Sequence, residues 1–334
     1  MKPLVTEQES SVNSATSEPE KGNEDVLSSE TTVVVAGANG QQGYPLAVRL
    51  LDLGIPLRAL VTNPNKPTAK RLAMAGANIR VGTLDDAEYV GAAVEGSAAV
   101  FSVPLAAHGG GGRALIENNS IIVKAAEAAG VETFVQTTVA SLPNHLAYDG
   151  PMDWGDYGQS RIRIEAAVRD SSIANWTILQ PAFFMDNFLP YRAERMYPFL
   201  YSQRRLDWPA GEQTPFTLIA AEDIGAYALA AMNDPGRFRM RSIGLGGDQL
   251  TLAEIAATIS EVTGIAIASQ QVSPADAVAQ GYSDVYVALH IWMAERGYQT
   301  PPRAMLAEQW GVRPMTFRDW VIAHRDTMTL GMHP

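Results

Sequence analysis

A chain of 334 residues, 46% hydrophobic and 18% charged, has material for one large domain, or for a domain with a smaller partner, and an ordinary globular composition. Its net charge of −11 excludes a broad contact with nucleic acid, whose phosphates need a basic footprint, so a role on DNA would have to run through a partner protein. With no cysteine there is no disulfide framework, thiolate nucleophile or cysteine-based metal site, and no apolar run approaches the roughly 18 residues that cross a bilayer.

Residues 1–30 are rich in Ser, Glu, Asn and Thr and lack the basic start and apolar centre of a secretory signal. They cannot bury enough surface to offset chain entropy, so a disordered tail is expected, with the cytoplasm as the default compartment. Order is expected from Thr31. The β-branched run 31–36 lacks polar alternation, as a strand buried on both faces does. It leads into Gly37-Ala38-Asn39-Gly40-Gln41-Gln42-Gly43, after which a helical pattern over 44–53 closes at Gly54. Strands are read at 57–61, 79–81, 98–103, 133–137 and 176–179. Helices are read up to Gly76, over 113–129 and over 159–170. This alternation predicts an α/β fold, a doubly wound parallel-sheet Rossmann domain over 31–182.

Past Pro181 the rhythm changes. Residues 183–213 are rich in aromatics and Pro without a clean period. A helix opened by Asp223 (224–232) and a strand at 241–245 are expected to return to the sheet, within 219–247. A helix over 252–263 is announced by Thr251 and Glu254 at capping-box spacing. Residues 273–334 read as helices and loops, so 183–334 is mainly a smaller C-terminal substrate lobe. No internal repeat is evident.

The glycine trio falls where a strand ends and a helix begins. There it lets the chain turn tightly, lets backbone approach a pyrophosphate, and packs helix on sheet. The free N–H groups of the helix N-terminus suit phosphate. Gly37, Asn39, Gly40, Gln41, Gln42 and Gly43 are therefore expected to hold a dinucleotide. Cofactor choice is written about twenty residues on, where a carboxylate would hold the ribose of NAD. Thr62 and Asn63 stand there instead, followed by Lys66 and Lys70, so NADP(H) is favoured over NAD. Alternatively, the two lysines are simply a solvated face.

The glycine loop resembles the signature of the NmrA-like family of atypical short-chain dehydrogenases/reductases. So does Trp176-Thr177-Ile178-Leu179-Gln180-Pro181-Ala182-Phe183-Phe184-Met185-Asp186-Asn187-Phe188. The resemblance spans about residues 31–265. It implies a Rossmann domain with a small substrate lobe and NADP as the usual ligand. It also implies a divided family, in which some members reduce quinones, isoflavones, imines or lignan-type phenolics and others sense the NADPH/NADP ratio for a regulatory partner. Leu84, Val103, Pro104, Pro181 and Phe183 join the expected cofactor site.

Hydride transfer to a carbonyl needs a proton donor near the developing oxyanion and a group that holds the nicotinamide ribose. Short-chain reductases use a Tyr with a Lys one helical turn on. Here the matching place reads Tyr157-Gly158-Gln159-Ser160-Arg161. Arg keeps the charge but never gives up its proton and is bulkier than Lys. Thr137, Thr138 and Ser141 offer a hydroxyl after the fifth strand; Thr138 or Ser141 is expected to steady the oxyanion. Tyr157 could equally be a half-buried aromatic and the Thr pair an ordinary strand end. Glu165 is expected in an ion pair. The run from His108 through Gly112 is either a substrate-gated loop or a flexible connector. His145, in a polar loop, is expected to face water, and His290 to be a satisfied core histidine. Phe183, Phe184, Phe188, Tyr191 and Trp208 either line a pocket for a flat substrate or pack between the lobes. Phe184, Met185, Asn187, Phe188 and Trp208 are the expected substrate contacts. No His/Asp/Glu spacing suggests a metal. The leading expectation is an NADP-dependent reductase of a small, largely apolar carbonyl, imine or conjugated substrate, and the rival is a non-catalytic NADP sensor. The partners expected are a small-molecule substrate, no direct nucleic acid, no membrane, and either a second copy or a regulatory protein.

Overall fold

Val33, Val34, Val35 and Ala36 are without exposed surface, because a strand in the middle of a parallel sheet is covered on both faces. A computed structural model describes residues 27–105, 111–147, 149–150, 155–209, 211 and 213–332. The tail up to residue 26 and His108 to Gly110 of the glycine-rich run lie outside the described residues.

Strands and helices alternate through β1 (Val33–Ala36), α1 (Gly43–Asp52), β2 (Leu57–Val61), α2 (Pro67–Met74), β3 (Asn78–Val81), α3 (Ala87–Val94), β4 (Ala99–Ser102), α4 (Gly111–Ala128) and β5 (Thr133–Thr137). Two helices, α5 (Leu142–Leu146) and α6 (Gly155–Arg169), precede β6 (Asn175–Pro181). Then come β7 (Phe183–Phe184), a 3₁₀ turn over Met185–Phe188, α7 (Pro190–Met196), α8 (Phe199–Ser202), β8 (Arg205–Trp208) and β9 (Phe216–Ile219). Next are α9 (Ala221–Asn233), α10 (Pro235–Phe238), β10 (Arg241–Leu245), β11 (Asp248–Leu250), α11 (Leu252–Thr263) and β12 (Ala268–Gln271). The chain closes with α12 (Pro274–Ala279), α13 (Asp284–Glu295), α14 (Arg303–Trp310), α15 (Phe317–Ala323) and α16 (Arg325–Met332).

The main sheet has seven strands, all parallel, in the order β10-β6-β5-β4-β1-β2-β3. It is the doubly wound Rossmann arrangement, extended by β10 after the excursion into the second half. Side chains alternate across it as strand geometry requires. Val33 and Val35 pack with Leu46, Leu50, Ile224, Tyr227 and Leu306, whereas Val34 and Ala36 pack with Val90, Ile122, Phe134 and Val168. The winding reverses between β1 and β4, and ligands bind outside the strand ends at such a switch point.

A third core, around Phe188, Tyr197, Trp208, Phe216, Phe317 and Trp320, belongs to the second half. Two small sheets frame it, β11-β9-β7 and β12-β8. Two boundaries differ from expectation. Packing begins before Thr31, since Leu27 is buried and its N–H donates to Asn233 Oδ1 at 3.2 Å. Asp223 does not open α9: the helix starts at Ala221, and the Asp223 carboxylate, inside the first turn, accepts the Met315 N–H at 3.0 Å. The capping box of Thr251 and Glu254 on α11 forms as read. Among the described residues, no helix is long and apolar enough to cross a membrane.

Candidate functional site

Gly37 leaves β1 with φ +71°, a left-handed value that favours glycine. Its N–H donates to Leu60 O of β2 at 3.1 Å, and Gly40 N–H turns back to Gly37 O at 2.8 Å. A Cβ on Gly43 would lie 2.5 Å from Gly37 O and 2.9 Å from Gly37 C, so the first residue of α1 sits directly on the start of the loop. No side chain caps α1, and its N-terminus opens on a cavity of about 620 Å³ lined by Gly37, Asn39, Gly40, Gln41, Gln42 and Gly43. Unclaimed N–H groups and the helix dipole make such an end an anion site.

At its far end the cavity is bounded by Thr62 and Lys66, and along β3 and β4 by Leu84 and Val103. Asn63 does not line it. Its carbonyl accepts from Asn39 Nδ2 at 3.3 Å, which together with Thr68 Oγ1 on Asn39 O at 3.0 Å fixes the loop. Lys70 is exposed outside the cavity. Sequence reasoning did not name Gly82 and Thr83, at the end of β3, or Leu105, Asn118 and Arg192. Asn118 is almost fully buried in α4 and donates to Leu105 O at 2.9 Å; a buried polar residue on a helix was its signal. Arg192 reaches in from α7, and nothing local marks it.

A second cavity of about 220 Å³ shares Gln42 and Val103 with the first. Pro104, Thr138, Tyr157, Arg161, Pro181 and Phe183 line it, as do Phe184 and Asn187. Sequence reasoning missed its other walls, Val139, Ala182 and Tyr298. Met185, Phe188 and Trp208 do not reach it; they lie in the lobe core, where Trp208 meets Phe216 at 4.1 Å between ring centroids.

Tyr157 and Arg161 stand one turn apart on α6. The Arg161 Cζ lies 3.8 Å from the Tyr157 ring centroid, a cation–π contact, and its Nη1 donates to Ser160 Oγ at 2.9 Å. Beyond Tyr157 is His145. Its ring is 1% exposed and meets Trp292 edge-on at 4.4 Å, so it does not face water as expected. Burial first, and the Arg161 charge second, lower its pKa to about 4, so the imidazole is neutral at pH 7. Burial, with a smaller contribution from Tyr157, pushes the Tyr298 phenol above its ordinary range.

Of the three candidate hydroxyls only Thr138 lines the second cavity. Thr137 is wholly buried, and Ser141 Oγ accepts the Gln299 N–H at 2.7 Å. Steadying an oxyanion requires a free hydroxyl proton, and the Thr138 proton is taken: Oγ1 donates to Glu165 Oε1 at 2.6 Å. Glu165 is ion-paired with Arg169 at 2.6 Å. His290 lies in the core as expected, with Nδ1 2.7 Å from Tyr286 O and a pKa lowered to about 3 by burial. It is only half satisfied, since its Nε2 is buried without a hydrogen-bond partner among the described residues. Among the described residues no cluster of three or more His, Asp or Glu could hold a metal ion.

The NAD(P)H azoreductase of Xenophilus azovorans is 29% identical to this chain over 235 residues, covering 70% of this chain and 74% of the relative. The structure of a NADPH-dependent quinone oxidoreductase from Escherichia coli, complexed with NADPH, matches with TM-score 0.67 at 23% identity, covering 87% of this chain and 99% of that one. The negative transcriptional regulator NmrA in complex with NADP matches with TM-score 0.69 at 17% identity, covering 88% and 95%. Both structural likenesses are of fold. The model of the NmrA-like family matches residues 29–310, and the chain belongs to the NmrA-like family.

Proposed function

We propose that this protein is an NADP-dependent reductase, working in the cytoplasm, of a small and largely apolar carbonyl, imine or conjugated substrate. One observation carries the reading. The two cavities share Gln42 and Val103 in their walls, so they lie side by side, a trough in two parts that extends from Lys66, past the uncapped start of α1, to Tyr157. Such a trough suits a dinucleotide lying across a switch point. The residues present fit that group, since any side chain at Gly43 would push the loop out of its phosphate-cradling shape. The azoreductase and quinone oxidoreductase likenesses support the same reading.

In it, Gln41 and Gln42 hold the diphosphate with backbone N–H groups, Gly40 turns the loop toward it, and Lys66 attends the 2′-phosphate. When bound, the nicotinamide supplies the hydride. Pro181 and Phe183 form an apolar wall that keeps water from the transfer, and Phe184 and Asn187 contact the substrate. Tyr157, 38% exposed at the mouth, is the proton donor to the developing oxyanion. Arg161, stacked over its ring, holds the phenol in place and reaches toward the ribose.

The test is a screen of NADPH oxidation against quinones, enones and imines. On any substrate found, Tyr157→Phe should lower turnover by roughly 10²-fold or more, the usual worth of general acid catalysis, while NADPH titrated by nicotinamide fluorescence binds as before. Turnover at the wild-type rate would remove Tyr157 from the mechanism. A second reading, a NADP(H) sensor acting on a protein partner or a second copy, is favoured by Arg161, whose guanidinium is occupied by the Tyr157 ring and Ser160. It takes the lead if no substrate emerges and NADPH and NADP give different protease-cleavage patterns.

A further inference from the structure

Glu165 is a buried carboxylate on α6, 3% exposed, with three side-chain donors directed at it. Oε1 accepts from Thr138 Oγ1 at 2.6 Å and from Gln180 Nε2 at 2.7 Å, and Oε2 accepts from Arg169 Nη2 at 2.6 Å. Arg169 is held in turn by Ser242, to whose Oγ it donates at 2.9 Å. The arrangement joins α6, the end of β5, β6 and β10. With a guanidinium on its other oxygen the carboxylate offers acceptors only, so the short contact to Thr138 runs from hydroxyl to carboxylate. The Thr138 backbone is fixed as well, its N–H donating to Leu179 O at 2.9 Å.

A threonine hydroxyl has one proton and two lone pairs. With the proton spent on Glu165, Thr138 shows the second cavity only lone pairs. Around it stand the Arg161 guanidinium, which can only donate, and the Tyr157 phenol and the Asn187 and Gln42 amides, which can do both. Among these side chains Thr138 is the one whose hydroxyl is fixed as an acceptor, and it selects an N–H on whatever lies against it. Resting on the reading of this cavity as the nicotinamide end of a dinucleotide site, we infer that Glu165 is a positioning residue that fixes Thr138 as a hydrogen-bond acceptor for the N–H of the nicotinamide carboxamide. Thr138 then orients the ring, and the oxyanion is left to Tyr157.

The experiment compares the full-length protein's affinity, by calorimetry, for NADP⁺ and for its acetylpyridine analogue, in which a methyl group replaces the carboxamide nitrogen. The wild type should favour NADP⁺ by about three- to tenfold, the worth of one hydrogen bond. Thr138→Val, which keeps the shape and removes the acceptor, should bind both alike, and Thr138→Ser should restore the preference. Glu165→Gln, able to turn an amide N–H toward Thr138, should narrow it. Equal wild-type affinities, or a full preference kept by Thr138→Val, overturn the inference while the dinucleotide site stands. A full preference kept by Glu165→Gln overturns the role of Glu165. If neither dinucleotide binds, the site reading falls and takes this inference with it.

Discussion

Lys66 stands at the N-cap of α2 and lines the far end of the first cavity, with no carboxylate among its lining residues. An ammonium there meets a 2′-phosphate without an acidic competitor. A charge-assisted hydrogen bond of this kind is worth about 1.5–3 kcal/mol, so Lys66→Ala should weaken NADP⁺ by roughly ten- to a hundredfold and leave NAD⁺ within about twofold. Lys70, outside the cavity, should change neither when replaced by Ala. Calorimetric titration with both dinucleotides checks this, and an equal loss for the two would place Lys66 on the diphosphate instead. At this scale the glycine loop was legible, because its function depends on backbone shape, which glycine spacing encodes. Lys66 could not be told from Lys70 by residue type; only the entry angle of α2 separates them. His145 was misread from its polar neighbours in sequence, whereas its surroundings are Trp292 and Tyr298, brought from far along the chain. Tyr298 left no signal of its own for the same reason.

Helix α1 owes its position to α9, which crosses it closely at Gly225. A Cβ there would lie 2.8 Å from Leu46 N and 3.0 Å from Pro45 C, both backbone atoms that cannot swing aside. Gly→Ala inside a helix ordinarily stabilises by about 1 kcal/mol. Overpacking typically costs about 1–3 kcal/mol, and with rigid neighbours the clash should win. Gly225→Ala is therefore expected to lower the thermal midpoint and, by shifting the start of α1, to weaken NADP⁺ binding. A midpoint raised by the substitution would show that the two helices separate freely. Elements whose partners are sequence neighbours were readable. The strands β1 and β2 are buried on both faces, and α11 carries its own capping box. β7, β8, β9 and β12 were not, since β7 pairs with β9 and β8 with β12 across long stretches that hold other helices and strands. Strands of two to four residues carry too little period of their own. α3 went unread although Asp86 caps it by accepting the Tyr89 N–H.

The two halves of the molecule are tied by carboxylates placed where water is scarce. Asp186, just past β7, accepts the Ala221 N–H at the start of α9, and Asp223 accepts the Met315 N–H that leads into α15. Between them Glu222 meets His324 Nε2 at 3.2 Å. Burial raises Asp223 to about 7, with Glu222 adding to it and the Met315 N–H and Arg49 opposing. Burial and Glu222 raise Asp186 to about 6. Burial alone would lower His324, but the hydrogen bond and charge of Glu222 raise it above its usual value. A group whose folded pKa exceeds its unfolded one holds a proton that the unfolded chain has lost, so its contribution to stability disappears as pH rises through the folded value. Asp223 and His324 act in this direction above pH 6.5. His145 and His290 have lowered values of about 4 and about 3, so their unfolded imidazoles bind protons that the folded ones refuse, and stability climbs with pH until those protons are lost, about one unit above 6.5. Between pH 6.5 and 8 the falling contributions of Asp223 and His324 are therefore opposed by these two histidines, and only a comparison in which the histidines stay the same isolates Asp223. Relative to Asp223→Asn, in which the histidines are unchanged, the wild-type midpoint should fall by about 1–3 °C across that interval, at about 2–4 °C per kcal/mol for a chain of this order of size. Asp223→Asn keeps an oxygen for the Met315 N–H and carries no charge to bury. It should raise the midpoint at pH 8 above that of the wild type. Differential scanning calorimetry of both proteins at both pH values decides the matter: a difference between their midpoints that does not change from pH 6.5 to 8 would mean that the Asp223 carboxylate is already ionised in the fold.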